Sequence, residues 1–421
     1  MRRLFGLLRG LAVDITPLRT PDYRRMWLGQ VITVVGTTMT LVAVPTQVFQ
    51  ITGNSLDVGV TSLVALVPLV VFGLLGGAIA DSMDRRVLLL ITSSGTAATS
   101  LLLWAQAALP GPGSLPLLWV LVAVQSAFFA VNSPTRSAVI PRLIPLEQVP
   151  AANALNMTVS SAGVIIAPLM AGLLIESGEL QWTYLVDAVG FLIALTLLFR
   201  LPALPPERND ESSARVGPVR GVIEGFAFLR GRQILLMTFV VDLIAMIFGW
   251  PRALFPELAA TTFAGSANAL GWLFAGASIG ALAAGLLSGW LGRAHRQGLV
   301  VLVAIAVWGV AIALFGLTGS LPLAIFWLGL AGAADMVSAV IRSSVLQTAA
   351  PDEMRGRMQG VFIVVVVGGP RLGDLRAGGM AAFTSPEAAL VGGGVFIVAA
   401  MLVVALLVPA FRRYDVRVLA P

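Results

Sequence analysis

Apolar residues occur along this chain in long runs separated by short polar stretches. About 20 mostly apolar residues in a helix cross the hydrocarbon core of a bilayer, and twelve runs reach that length. These runs do not alternate apolar with polar residues, as strands of a membrane barrel would, so the pattern indicates helices. The sequence therefore predicts an all-α polytopic membrane protein with twelve transmembrane helices. The predicted spans are 26–49, 58–80, 87–109, 115–135, 151–175, 182–199, 234–255, 267–291, 298–317, 322–341, 358–383 and 388–410.

One long polar stretch divides the predicted spans into six and six. Within it, apolar positions at 219–230 recur at helical spacing, which favours a short amphipathic helix on the membrane surface. The predicted organisation is a cytoplasmic N-terminal segment (1–25), a six-helix bundle (26–199), a cytoplasmic linker with the amphipathic helix (200–233), a second six-helix bundle (234–410) and a cytoplasmic tail (411–421).

The two halves resemble each other in sequence. Residues 73–90 match 285–302, and residues 136–147 match 342–353. Both matches fall in equivalent loops, which follow corresponding spans of the two halves. Six-helix halves repeated in parallel orientation are typical of a large class of membrane transporters, so the repeat predicts two equivalent bundles.

Composition supports a membrane-embedded chain and excludes other classes. Hydrophobic residues make up 57% and charged residues 11% of the 421 residues, whereas soluble domains average about 45–50% and about 25%. With no Cys and one His, the sequence predicts neither a disulfide nor a metal centre. The absence of Lys excludes a phosphate-binding loop of the GxxxxGK[ST] type. We expect no cofactor, and no set of nucleophile and base indicates an enzyme.

All 27 basic residues are Arg, and their positions carry a topology signal. With the N-terminus in the cytoplasm, all but Arg252, Arg371 and Arg376 fall in cytoplasmic ends and loops. This asymmetry follows the positive-inside rule, and it predicts a multi-pass protein of the bacterial inner membrane with both termini cytoplasmic. The net charge of +6 then reflects topology and contact with anionic lipid, not nucleic-acid binding. The loops without Arg are 50–57, 110–114, 176–181, 318–321 and 384–387.

The loop after the second span carries a recognisable motif. Gly77, Asp81, Arg85 and Arg86 follow the order G-x-x-x-D-x-x-x-R-R, which resembles the loop-2/3 signature of the major facilitator superfamily, although Asp84 stands where that family usually has Gly. The resemblance implies a cytoplasmic gate whose charged pairs break and reform as the halves rock. The alternative is that these charges only set topology. Arg136 and Arg342, in the repeated loops, are assigned to the same gate.

The fifth span contains small residues and a proline at Gly163, Pro168 and Gly172. Their spacing resembles a relaxed form of the antiporter motif of the same superfamily, which marks exporters and is associated with sealing against leak. Small residues also let any two helices approach closely, so ordinary helix packing is the alternative.

A closer resemblance covers almost the whole chain. It is similar to the enterobactin-exporter branch of the superfamily, which implies export of catecholate siderophores from the cytoplasm. Some relatives in that branch are multidrug effluxers, so the cargo stays open between the two. The segments that carry the resemblance are 17–30, 43–48, 57–89, 145–155, 252–258, 271–289 and 345–360.

Charged residues inside predicted spans are candidates for function, because burying a charge in the bilayer is costly. Asp242 in the seventh span and Asp335 in the tenth are predicted to lie at similar depth. A buried carboxyl group is easier to protonate than an exposed one, as proton-coupled antiport requires. The alternatives are that these groups hold a cationic drug or only hydrogen-bond a neighbouring helix.

A second group of charges is predicted nearer the outer side, at Arg252, Arg371, Asp374 and Arg376. Arg371 and Asp374 are three residues apart and are expected to be neighbours on one helix face. Asp374 is a third candidate for carrying a proton, and the three arginines are candidates for binding an acidic substrate. The alternative is a structural ion-pair network. Helix-breaking residues beside them predict a local break: Gly369, Pro370 and Gly373.

Uncharged residues complete the candidate set. Gln47 and Gln125 in the first half are candidates for substrate binding, and Trp250 is a candidate for stacking on the substrate. One further charged residue, Asp187, begins the sixth span near the outer surface of the membrane. That span is expected to be peripheral, so Asp187 is expected to have little functional role.

These features predict a proton-coupled secondary exporter that works by alternating access on a small amphipathic molecule, with a siderophore as the favoured cargo. A multidrug efflux pump for cationic or amphipathic drugs is the first alternative. A membrane receptor or assembly protein that transports nothing is the second. The expected partners are the small-molecule substrate, protons and the lipid bilayer, and the chain is expected to be a monomer.

Overall fold

The computed structural model describes residues 14–111, 113–205, 218–266, 268–349 and 352–415, and regular structure in those ranges is helical. The first half contains α1 (Pro21–Thr52), α2 (Ser55–Ser82), α3 (Arg85–Ala108), α4 (Leu115–Leu143), α5 (Val149–Glu176) and α6 (Gln181–Leu198). A short helix, α7 (Pro218–Leu229), lies between the halves. The second half contains α8 (Gln233–Gly249), α9 (Phe255–Ala260), α10 (Ala269–Leu286), α11 (Gln297–Gly316), α12 (Leu321–Ala349), α13 (Asp352–Phe383) and α14 (Pro386–Leu407), and α15 (Pro409–Arg412) follows.

The predicted all-α polytopic fold is confirmed, and each predicted span overlaps a helix. In the described part of the chain, 11 helical segments are long and apolar enough to cross a membrane. The remaining predicted span lies in α13, which is 32 residues long but has its apolar run interrupted by charged residues. Those residues are Arg371, Asp374 and Arg376.

The helices of the second half depart from the predicted spans in three places. The span predicted at 234–255 ends as α8 at Gly249, because Pro251 has no backbone N–H with which to continue the helix. The span predicted at 267–291 ends at Leu286 and continues as a 3₁₀ segment. The predicted break at Pro370 is wrong, since α13 runs through it. Instead, Gly373 lets α13 approach the backbone of α8.

Helix packing repeats between the halves. In the first half α2 packs on α4 and α3 packs on α6. In the second half the corresponding helices do the same, with α10 on α12 and α11 on α14. α7 packs against α13 and exposes Ile223 and Phe226. The sequence repeat is therefore accompanied by a repeat of helix contacts.

The halves meet along two helix pairs, α2 with α13 and α5 with α10. Both contacts depend on glycine. A Cβ atom on Gly59 would lie 2.6 Å from the carbonyl oxygen of Asp374, and one on Gly172 would lie 2.7 Å from the backbone nitrogen of Gly271. Both contacts lie towards the end of the molecule formed by the loops without Arg. We call this the Arg-free end and the opposite one the Arg-rich end.

Candidate transport site

A buried ion pair joins α8 to α12 in the second half. Nη1 of Arg342 lies 2.5 Å from Oδ2 of Asp242, and Nη2 lies 3.8 Å from Oδ1 of Asp335. Nε of Arg342 also donates a hydrogen bond to Oγ of Ser338 at 3.0 Å. Arg342 and Asp242 are buried, whereas the Asp335 side chain is 34% exposed. Two carboxyl groups therefore share one guanidinium group.

Sequence reasoning placed Arg342 in the cytoplasmic gate and treated the two aspartates as a separate acidic pair. The structure brings all three side chains together. A signal for this was present, because Asp335 and Arg342 are seven residues apart and therefore share one face of α12. The repeat relation between Arg136 and Arg342 favoured the gate assignment instead.

Asp374 connects both halves near the Arg-free end. Its Oδ2 accepts a hydrogen bond from Oγ of Ser62 on α2 at 2.8 Å. Its Oδ1 accepts one from the backbone N–H of Ala253 at 3.0 Å. Because Ser62 and Ala253 belong to different halves, this buried carboxyl group bridges the contact between them.

The arginines near Asp374 have partners other than the expected ones. Nη1 of Arg371 donates to the carbonyl oxygen of Val367, one turn earlier on α13, at 2.8 Å. The guanidinium carbon of Arg252 lies 4.8 Å from the ring centroid of Trp250, a cation–π contact. The cluster is therefore held largely by neutral partners and not by a network of close ion pairs.

Arg376 holds three helices of the second half together. Its Nη1 donates to the carbonyl oxygen of Phe248 at 3.0 Å, and its Nη2 donates to that of Ala389 at 2.8 Å. These carbonyl groups belong to α8 and α14, while Arg376 lies on α13. The contacts are those of helix packing.

Asp187 is the main functional candidate that sequence reasoning missed. The Asp187 side chain is 0% exposed, although α6 exposes Val186, Val189 and Leu192 on its other side. It is enclosed by α1, α3 and α4, and its carboxylate accepts hydrogen bonds from Thr37, Thr40, Ser100 and Gln125. A sequence signal existed in α1, where Thr33, Thr37 and Thr40 lie three or four residues apart and so share one face of the helix.

The two glutamine candidates are bonded inside the first half. Nε2 of Gln125 donates to Oγ of Ser100 at 3.1 Å and to Oδ2 of Asp187 at 3.3 Å. Oε1 of Gln47 accepts a hydrogen bond from the hydroxyl of Tyr184 at 2.7 Å. Gln125 is half-buried, whereas Gln47 is buried.

Further hydrogen bonds join the halves at the Arg-free end. Oγ of Ser55 donates to Oε2 of Glu257. The backbone N–H of Asn268 donates to Oε2 of Glu176 at 2.8 Å, and Nδ2 of Asn268 donates to the carbonyl oxygen of Leu169 at 2.9 Å. Together with the glycine contacts and Asp374, these bonds close the Arg-free end.

Of the residues assigned to the gate, Arg85 and Arg86 lie at the Arg-rich end, at the start of α3. Nη2 of Arg86 donates to the carbonyl oxygen of Phe199 at 2.6 Å, and Nη1 of Arg85 donates to that of Ala138 at 3.2 Å. Arg136 is buried. The surroundings of Gly77 and the side chain of Asp81 lie outside the described part of the structure.

Asp84, at the position where the motif departs from the family pattern, caps α3. Its Oδ1 accepts a hydrogen bond from the backbone N–H of Arg86 at 2.8 Å. Its Oδ2 accepts one from the backbone N–H of Leu204 at 2.9 Å. Asp84 therefore ties the beginning of the linker to the start of α3, a role that Gly would not perform.

The antiporter-like residues of α5 face two different neighbours. A Cβ atom on Gly163 would lie 2.5 Å from Cγ1 of Val34 on α1, inside the first half. Gly172 faces Gly271 and Asn268 of the second half. Pro168 lies within α5, which continues through it. The carbonyl oxygen of Pro168 also faces Gly271. The part of this segment from Pro168 to Gly172 therefore belongs to the contact between halves, whereas Gly163 packs inside the first half.

A cavity of about 900 Å³ lies away from these charges, among α10, α11 and α12. Its lining is apolar and includes Gly280, Val303 and Phe326. No charged side chain lines it in the described part of the structure. We therefore do not include it in the candidate site.

Comparison with known proteins establishes the class. The chain matches the transmembrane secretion effector model of the major facilitator superfamily over residues 12–420, and it belongs to that family. It is 30% identical over 406 residues to the enterobactin exporter EntS of Shigella boydii serotype 18, covering 96% of this chain and 95% of that protein. The EntS protein of Escherichia coli O81 gives the same identity and coverage.

Solved structures support the same fold. The nucleoside transporter NupG aligns with a TM-score of 0.73 at 14% identity, covering 94% of this chain and 100% of that one. A bacterial homologue of the human lysosomal transporter Spinster, in an inward-facing and unoccupied conformation, aligns with a TM-score of 0.69 at 16% identity, covering 96% and 98%. At these identities the likeness concerns the fold alone. The chain is a multi-pass membrane protein and a secondary transporter of a small molecule.

Proposed function

We propose that this transporter exports a catecholate siderophore across the bacterial inner membrane, in exchange for protons, with both termini in the cytoplasm. The observation that carries the proposal is the 30% identity to enterobactin exporters over 96% of the chain. Similarity of that extent includes the spans that hold the buried charges. It supports a shared class of cargo better than a motif confined to one loop would.

The contact between halves supports an alternating-access cycle in a monomer. The halves are joined at the Arg-free end by Asp374 and Ser62 and by the contact of Gly172 with Gly271. With the Arg-rich end in the cytoplasm, as the positive-inside rule favours, this is a state closed to the outside. Cargo would enter from the cytoplasm and leave after these contacts separate.

The charges of the second half support an acidic cargo. Arg252 and Arg371 lie near a single carboxyl group, Asp374, so this cluster is net positive when all three are ionised. A catecholate carries negative charge and would be attracted there, with Trp250 beside Arg252 offering an aromatic face. Asp242, Asp335 and Asp374 are the second-half groups proposed to carry the protons that are transported in exchange for the cargo.

A multidrug efflux pump is the second candidate. Asp242 and Asp335 share one guanidinium group, and Asp335 is 34% exposed. This cluster is net negative when both carboxyl groups are ionised, which favours a cationic drug. The two candidates therefore assign cargo binding to different clusters of the same half.

Transport by the purified protein in liposomes with an acidic interior tests the proposal. We expect enterobactin to accumulate inside, a protonophore to abolish the accumulation, and a cationic dye to accumulate weakly. Arg371→Gln should reduce enterobactin accumulation, whereas Asp335→Asn should preferentially affect the dye. Accumulation of the dye alone would favour the multidrug pump, and accumulation that resists the protonophore would contradict proton coupling. No flux of either compound would favour a receptor or assembly role.

A further inference from the structure

We infer that Asp187, with the ring of neutral side chains around it, is a proton-binding site of the first half. The inference rests on the proposed proton exchange and adds to it a site away from the charged clusters of the second half. The ring consists of Thr37 and Thr40 on α1, Ser100 on α3 and Gln125 on α4.

The site is enclosed by close backbone contact. Asp187 is the seventh residue of α6 and is 0% exposed. A Cβ atom on Gly36 would lie 2.5 Å from Cα of Asp187 and 2.7 Å from its Oδ1. Only glycine therefore lets α1 lie directly against α6 at this level, and the carboxyl group is shielded from lipid on that side.

The hydrogen bonds around Asp187 come from neutral groups. Oγ of Ser100 lies 2.7 Å and Oγ1 of Thr40 lies 3.2 Å from Oδ2 of Asp187. Oγ1 of Thr37 lies 3.3 Å from Oδ1, and Nε2 of Gln125 lies 3.3 Å from Oδ2. No ion pair is among the described contacts of Asp187. A buried carboxylate without an opposite charge is costly, and binding a proton removes that cost.

The ring can accommodate both protonation states. A hydroxyl group donates one hydrogen bond and also accepts, so Ser100 and the threonines can donate to the carboxylate or accept from the protonated carboxyl group. A guanidinium group has no acceptor, so Arg342 beside Asp242 favours the ionised form alone. The hydroxyl ring is therefore better suited to repeated uptake and release of a proton.

On the helices that surround Asp187, the charged residues lie far from the ring, as measured along each helix axis. The closest along α1, α3 and α4 are Arg25, Arg86 and Arg136, each about 16 Å or more from the ring member on its own helix. Glu179 lies two residues before the start of α6 and about 12 Å along the chain from Asp187. The hydroxyl of Tyr184 donates to Gln47. The other charged groups of these helices are Asp22, Arg24, Arg85 and Arg142. Glu176, at the end of α5, accepts a hydrogen bond from the backbone N–H of Asn268.

Two members of the ring connect the site to the surroundings. Thr37 and Gln125 are half-buried, whereas Thr40 and Ser100 are buried. A proton delivered by a hydronium ion at Gln125 would bind to Oδ2 of Asp187 and leave water behind, and release would reverse this without electron transfer. Because one carboxyl group bonds to three other helices, its protonation changes the contacts between all of them.

Infrared difference spectroscopy of the full-length protein tests the site without any cargo. We expect the carbonyl stretch of a protonated carboxyl group to disappear as the pH is raised. Asp187→Asn should remove one component of this band, because Asp242, Asp335 and Asp374 are also proposed to bind protons, whereas Asp57→Asn, at the start of α2, should leave that component unchanged. Ser100→Ala should move its disappearance to higher pH, because the carboxylate loses its shortest hydrogen bond. A band that persists unaltered in Asp187→Asn would overturn the inference.

Liposome transport separates the site from the proposed function. Asp187→Asn should lose enterobactin accumulation driven by a pH gradient but keep exchange of enterobactin at equal pH. If wild-type protein moves no enterobactin while the infrared band still depends on Asp187, the proposed function fails and the proton site stands. If Asp187→Asn does not fold, Ser100→Ala provides the test instead. An infrared titration of Ser100→Ala identical to that of the wild type would then overturn the inference.

Discussion

The two halves share helix packing but treat buried charge in different ways. In the second half Arg342 lies against Asp242, whereas in the first half Asp187 is surrounded by hydroxyl and amide groups. Arg136 corresponds to Arg342 in the sequence repeat, yet its described hydrogen bond is to the carbonyl oxygen of Met26 at 3.5 Å. The repeat has thus preserved the architecture, while the electrostatics of the two halves have become specialised.

Because of this difference, the two sites should contribute differently to the stability of the folded protein. Breaking a buried ion pair leaves an uncompensated charge, so the Arg342 cluster should be sensitive to loss of one partner. Asp187 has no ion pair to lose, and a neutral replacement should be tolerated. The following changes test that contrast, from the largest expected effect to the smallest.

The largest effect is expected from Arg342→Gln. The change leaves Asp242 and Asp335 next to each other without their cation, and the free energy of unfolding should fall by about 3–5 kcal/mol. Denaturation of the purified protein in detergent micelles, followed by circular dichroism, measures the change.

The matched control is the double variant Arg342→Gln/Asp242→Asn. It removes both charges of the close pair and should recover most of the lost stability. If the double variant is as unstable as the single one, packing by Arg342 and not its charge is the main contribution.

An intermediate effect is expected where the halves touch. Gly59→Ala places a methyl group against the backbone of Asp374, whereas Gly73→Ala on the same helix meets nothing within 4 Å. Overpacking costs about 1–3 kcal/mol, so Gly59→Ala should shift the protein towards a state open at the Arg-free end. Gly73→Ala should leave the equilibrium unchanged.

Spin-label distances can follow this shift, because the chain has no native Cys. Labels on Leu109→Cys and Phe383→Cys lie on exposed positions of the two halves at the Arg-free end. The distance between them should increase in Gly59→Ala. Equal distance distributions in the two glycine variants would contradict the view that this close contact seals the end.

The sequence predicted the architecture better than the site. The apolar runs located the 11 helical segments of the described chain that are long and apolar enough to cross a membrane, and Pro251 explains why α8 ends before the predicted boundary. No comparable pattern in the sequence predicted which distant segments lie close together. The enclosure of Asp187 depends on helices α1, α3 and α4, and a single sequence does not specify which faces of those helices meet. Asp242 and Asp335 were found because charges are rare in spans, but their link through Arg342 needed the packing of α8 on α12.

The smallest effect on stability is expected from Asp187→Asn. The replacement has nearly the same shape, and the hydroxyl groups of Ser100 and Thr40 can turn to accept from the new amide. Losing a charge that has no ion pair should offset the loss of hydrogen bonds to a carboxylate, so the free energy of unfolding should change by less than about 1 kcal/mol. Denaturation under the conditions used for Arg342→Gln measures it. A loss as large as that of Arg342→Gln would mean that Asp187 is a fixed structural anion, and the contrast between the halves would not hold.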